Sequence, residues 1–103
     1  MTLPKIGSIA GRRIRLVVKP FKDSDVYTFG EYFHEDKVIQ INTGLDDNTA
    51  LETLRHEVME ASLLLSGVGF SERYEQEAVV RCMDEIFFPA WDLILKRINN
   101  QDG

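Results

Sequence analysis

The chain has 103 residues, which is room for one domain and one core. Its composition, 44% hydrophobic and 28% charged, is ordinary for a globular fold, and no apolar run reaches the length needed to span a bilayer. The net charge of −5 is unevenly spread. No acidic residue precedes Asp23, while Lys5, Arg12, Arg13, Arg15, Lys19 and Lys22 supply six of the 12 basic groups. The acidic remainder argues against general affinity for nucleic acid, and the basic strand at the N-terminal end is the one feature pointing the other way. The first residues, Met1-Thr2-Leu3-Pro4-Lys5, lack the apolar core of a signal peptide, so an intracellular, cytoplasmic setting is expected. The single Cys82 fits a reducing compartment and falls in a helical apolar pattern, as a small buried hydrophobe does.

In chain order, residues 1–11 read as an irregular lead-in ending at Gly11. Arg12–Lys19 alternates, with Ile14, Leu16 and Val18 on one face and Arg13, Arg15, Val17 and Lys19 on the other, and Pro20 ends it. Val26–Phe33 is aromatic and β-branched, and Gly30 within it marks a bulge or a close backbone approach. His34-Glu35-Asp36 then connects tightly to Lys37–Asn42, forming a hairpin with His34 as a surface loop residue. The expected fold is α+β, a small three-stranded antiparallel sheet built from residues 12–42 and packed by two main helices.

The first of these helices is expected over residues 50–66. Asp46, Asp47 and Asn48 offer caps, Thr49-Ala50-Leu51-Glu52 fits a capping box, and Gly67 is the stop. Its wheel places Leu51, Leu54, Val58, Ala61 and Leu65 toward the sheet and Thr53, His56 and Glu60 opposite, flanked by Met59, Leu63 and Leu64. Residues 71–98 form the C-terminal helices, with a stripe of Val79, Val80, Met83, Ile86, Phe87 and Ala90 and a kink at Pro89. Trp91 is expected in the core or filling the kink.

Chemistry concentrates in His56-Glu57-Val58-Met59-Glu60. Side chains four apart on a helix stand one turn above each other, so His56 and Glu60 can grip one ion, with Glu57 beside them as general base. A catalytic zinc usually takes a third protein ligand. Carrying the apolar stripe of the second helix backwards turns Glu72 and Glu75 toward the covered side and Glu77 away, which makes Glu75 the first candidate and Glu72 the next. The competing structural account treats Glu52, Arg55 and Glu57 as members of weak surface ion pairs.

A hairpin ending in Ile39-Gln40-Ile41-Asn42, a loop, Leu54-Arg55-His56-Glu57-Val58-Met59-Glu60-Ala61 and then a Glu-bearing helix resembles a minimal zincin. The similarity is to the small ImmA/IrrE-like and short phage-encoded HExxH metallopeptidases and covers roughly Val26 to Phe88. The resemblance implies a strand lining the cleft and a third ligand from a Glu-x-x-Ala-Asn pattern. Glu75-Gln76-Glu77-Ala78-Val79 meets that pattern with Val79 in place of Asn. Glu60 also stands where the family has His. A donor set of His56, Glu60 and Glu75 is harder and more anionic, accepting Mn or Fe beside Zn. Two functions follow from the resemblance. One is a metal-dependent hydrolase acting on a peptide or protein, with a substrate strand added to Lys37–Asn42. The other is an inactive, metal-free binding module, such as a phage-encoded inhibitor of a host protein in the host cytoplasm. A third, a self-associating protein, would expose Phe87, Phe88 and Trp91.

Overall fold

The computed structural model describes residues 2–22, 28–67 and 76–102. Four strands, β1 (Ile6–Ile9), β2 (Arg12–Val18), β3 (Gly30–Phe33) and β4 (Val38–Ile41), precede the helices α1 (Asp47–Leu65), α2 (Gln76–Cys82) and α3 (Phe88–Asp102). The architecture is α+β as expected, but the sheet is four-stranded and mixed, in the order β1-β2-β4-β3.

Two corrections to the expected sheet follow. The lead-in contains β1, which pairs with β2 through Ile9↔Arg12. The two residues between them, Ala10 and Gly11, have φ of 53° and 74°. Positive φ at both central positions is the mark of a primed hairpin turn, whose twist matches that of its flanking strands. Four residues with a central glycine and serine are too short and too weakly β-prone to stand out as a strand. The second correction concerns direction. β3 and β4 form the expected antiparallel hairpin, closed by His34–Lys37, but β2 and β4 run parallel, with Arg15↔Val38 in register. The chain after β2 passes β4 and returns as an outer strand, so β4 lies inside the sheet. Local alternation carries no information about that crossover.

The helices lie on one face. Ile14 and Leu16 of β2, Ile39 and Ile41 of β4, and Tyr32 of β3 meet Leu54, Val58 and Ala61 of α1, and Phe87, Ala90, Trp91, Ile94 and Ile98 complete the core. Val18, expected beside Ile14 and Leu16, is 53% exposed at the end of its strand. Trp91 and Phe87 are buried while Phe88 is exposed, so the three do not form one surface patch. Cys82 is buried, its thiol donating to the Ser62 carbonyl at 3.4 Å, as expected for a packed cysteine.

Helix α1 starts three residues earlier than the capping box suggested. Asp46 is the cap, accepting from the Thr49 backbone N–H at 2.8 Å and from the Thr49 hydroxyl at 3.1 Å. These bonds hold the Asp46 carboxyl below its ordinary pKa. A depressed pKa gives stability that is present above the unfolded-state value and lost as pH falls. Asp46→Ala is therefore expected to lower the thermal midpoint at neutral pH, with the difference from the parent shrinking under acid. Gly67, at φ 84°, ends the helix as expected.

Between α2 and α3 the helix widens into a π turn over Met83–Phe87, with the Phe88 N–H reaching the Met83 carbonyl. Pro89 explains the position. Its ring has no N–H to donate and would collide with the carbonyl four residues back, so the turn before it opens.

Candidate metal centre

The motif helix approaches the sheet most closely at β3. A Cβ added to Gly30 would lie 2.6 Å from Thr53 Cγ2 and 3.1 Å from the Gln40 carbonyl oxygen. Glycine is there because helix and strand nearly touch, the close approach expected from its place in an aromatic strand.

One turn further along α1, Glu57 is 4% exposed. The β3–β4 register explains its surroundings. The Asn42 N–H donates to the Phe29 carbonyl at 2.8 Å, so residues 29, 31 and 33 turn their amides toward β4, and Gly30 and Tyr32 turn theirs to the free edge. The Tyr32 N–H is taken by the Glu57 carboxylate.

His56, Glu57 and Glu60 each offer a ligand atom, and these atoms lie within 4.8 Å of one another. The expected pairing of His56 with Glu60 is thus present, with Glu57 in the same cluster. The wheel's placement of His56 and Glu60 opposite the sheet leaves both at the surface. His56 and Glu60 are exposed, and the covered carboxylate is Glu57, because β3 closes over that side of the helix. The burial of Glu57 also removes it from the surface ion pairs of the structural account. Burial raises its carboxyl to a pKa of about 7, helped by the neighbouring Glu60 charge and a hydrogen bond between the two carboxyl groups, and opposed by His56.

A cleft of about 330 Å³ opens beside the cluster, lined by Phe29, Gly30, Thr49, Glu52, Thr53, His56 and Glu57. Phe29 and Thr49 were not singled out as site residues from the sequence. The signal for both was their place flanking Gly30 and Thr53. The third-ligand candidates Glu75 and Glu72 lie outside the described residues. Lys37–Asn42 cannot receive a substrate strand, because β4 is paired on both sides. The outer strand beside the cluster is β3. His34 is half-buried at the hairpin end, its Nδ1 3.0 Å from the Tyr32 hydroxyl.

No protein-family model, no curated protein and no solved structure matches the chain. No helix among the described residues is long and apolar enough to cross a membrane.

The residues fit a divalent cation. An imidazole and carboxylates are ordinary ligands for zinc and manganese. Two carboxyl groups hydrogen-bonded to each other, one of them buried, need a proton or a cation between them, since both cannot hold negative charge at that separation.

Proposed function

We propose that the chain is a metal-dependent hydrolase of the zincin type, acting on a carbonyl group of a peptide or protein. The observation that carries this reading is the convergence of His56, Glu57 and Glu60 on one point beside a cleft, with the middle carboxyl buried and titrating near 7. His56 and Glu60 would hold the ion, Zn or else Mn or Fe, with Glu75 as third ligand and Glu72 as the next choice. When bound, such an ion polarises a carbonyl and lowers the pKa of a water. Glu57 supplies the proton transfer. A carboxyl with a pKa near the working pH can accept a proton from water and return it to a leaving amine. The cleft at Phe29 and Gly30 would take the substrate, where the outward amide and carbonyl of Gly30 offer it hydrogen bonds.

One observation favours the second reading, an inactive binding module of zincin ancestry, phage-encoded and directed at a host protein. The Glu57 carboxylate already accepts from the Tyr32 N–H at the sheet edge, a structural task that would keep a buried Glu without catalysis.

Metal content separates the two. Protein purified without chelator or His-tag is expected to carry about one equivalent of zinc or manganese by elemental mass spectrometry, the count that a single three-ligand site predicts. His56→Ala is expected to lose it while keeping its far-ultraviolet circular dichroism. No metal in the parent, with a thermal midpoint unmoved by added zinc or manganese, would leave the binding module as the reading.

A further inference from the structure

The sheet has a second face, turned away from the core, on which no helix packs among the described residues. On β2, Ile14 and Leu16 point into the core, so Arg13, Arg15 and Val17 point to the opposite side. On β4, Ile39 and Ile41 are inward and Val38 and Gln40 outward, and on β3 Phe33 is outward. The register sets Ile6, Arg15, Val38 and Phe33 in a single row across all four strands. This row is apolar except at its guanidinium, and Ile6 is 40% exposed. A concavity of about 220 Å³ lies over it, lined by Arg15, Val17, Lys19, Phe33, Val38 and Gln40 and by one carboxylate, Asp36.

The charges on this face share one sign along β2. Arg13, Arg15 and Val17 occupy alternate positions of the strand, and Lys19 follows just past its end. Among the described residues no ion pair engages any of the three. They hold their places in a chain whose remainder is strongly acidic. A ridge of cations flanking an apolar floor suits a partner that is acidic and apolar on adjacent faces.

We propose that this outer sheet face docks an acidic amphipathic helix of a partner protein. Its carboxylates would meet Arg13, Arg15 and Lys19, and its apolar stripe would cover Ile6, Val17 and Phe33, with the buried Val38 beneath them. A helix suits the geometry better than a strand. A sheet face has its backbone groups paired within the sheet and is covered by a helix laid across it, giving a third layer. Strands add at edges, and these edges carry side-chain caps: Glu57 on the Tyr32 N–H of β3 and Arg97 on the Ile6 carbonyl of β1 at 2.8 Å. Single-stranded nucleic acid suits it less well. Phe33 is the one aromatic ring among the residues lining this concavity, and a polyanion extending past the ridge would meet the acidic remainder of the chain. The face lies on the opposite side of the sheet from α1, so the inference stands apart from the hydrolase reading.

The test is fluorescence anisotropy with a labelled synthetic peptide of about 18 residues, long enough to be helical, with Leu along one face and Glu on the flanks. Controls are the same composition in shuffled order and a thymidine oligonucleotide. Saturable binding of the ordered peptide is expected, weakening as salt is raised. The double variant Arg13→Glu/Arg15→Glu is expected to weaken it about tenfold or more with an unchanged thermal midpoint. Phe33→Ser is expected to weaken it at every salt concentration, and Lys96→Glu, on the exposed side of α3, to leave it alone. Absence of saturable binding would overturn the proposal. So would equal affinity for the shuffled peptide, tighter binding of the oligonucleotide, or a dimer by sedimentation that Arg15→Glu dissociates.

Discussion

Glu57→Gln is expected to unfold at a higher temperature than the parent above pH 7 and, on the proposed hydrolase reading, to be inactive. The Glu57 carboxyl has a folded-state pKa of about 7 against an ordinary value of 4.5. A raised pKa means that the folded state holds the proton more tightly than the unfolded chain does. The contribution is fully present below the unfolded-state value and is lost as pH rises through 7. A tenfold difference in proton affinity between the folded and unfolded chain corresponds to about 1.4 kcal/mol. With allowance for solvent reaching the exposed Glu60 beside it, the parent is expected to lose about 1–3 kcal/mol of stability between pH 4.5 and 8. Glutamine keeps an oxygen for the Tyr32 N–H and donates an amide N–H to Glu60, so it should hold its stability across that range. Thermal denaturation of both proteins from pH 4.5 to 8, without added metal, reads the difference. A parent curve as flat as that of the variant would show that Glu57 is not a protonated buried carboxyl. The variant also isolates the chemistry. It retains acceptors at Glu60 and His56 but can no longer take a proton from water, so rate should vanish while metal content persists.

The second large effect is expected at Gly30. An added methyl would press on the Thr53 methyl at 2.6 Å and, at 3.1 Å, on the Gln40 carbonyl oxygen of the neighbouring strand. The first neighbour is a side chain on a well-packed helix and the second is backbone. Neither yields cheaply, and overpacking of this kind costs about 1–3 kcal/mol. Gly30→Ala is expected to lower the thermal midpoint clearly and to push α1 away from β3. Because Tyr32 follows on the same strand, the same displacement should loosen the Tyr32–Glu57 hydrogen bond, which by itself raises the Glu57 pKa, and admit water to the carboxyl, which lowers it; burial is the larger cause, so the pKa should fall toward its ordinary range. Adding Thr53→Ser removes the methyl and should restore part of the loss, the remainder belonging to the Gln40 carbonyl and the Ile41 side chain, 3.2 Å away. Full recovery in the double variant would mean that neither strand neighbour plays a part. No loss in the single variant would mean that helix and strand are not this close.

The motif helix was legible in the sequence because its signals are local. Its apolar spacing, its Gly67 stop and the one-turn distance between His56 and Glu60 all depend on neighbours in the chain. Gly30 was legible too, since glycine in an aromatic strand has few explanations. The burial of Glu57 was not. A helical wheel shows which residues share a side of α1 but not that β3 closes over the side carrying Glu57. The parallel pairing of β2 with β4 was hidden for a related reason. Alternation fixes which face a residue occupies, whereas strand order depends on where a connection crosses. The strand β1 was missed because its evidence lay in the turn after it. Ala10-Gly11 is a hairpin signal only once both residues are known to have positive φ.

The two capped edges bear on solubility. An open sheet with bare outer strands is a template onto which another copy of the chain can stack, strand against strand, until it leaves solution. Here one rim is stopped by a guanidinium and the other by a carboxylate, and neither stopper is lost through an ordinary change of pH. Guanidinium stays charged at any ordinary pH, whereas the carboxyl of Glu57 keeps its acceptor oxygens but changes its charge near neutrality. Loss of Arg97 would therefore uncover a permanent sticky rim at β1. The rim at β3 would be uncovered only by a substitution that takes away the oxygen, which makes Glu57→Leu a precipitating change and Glu57→Gln a benign one.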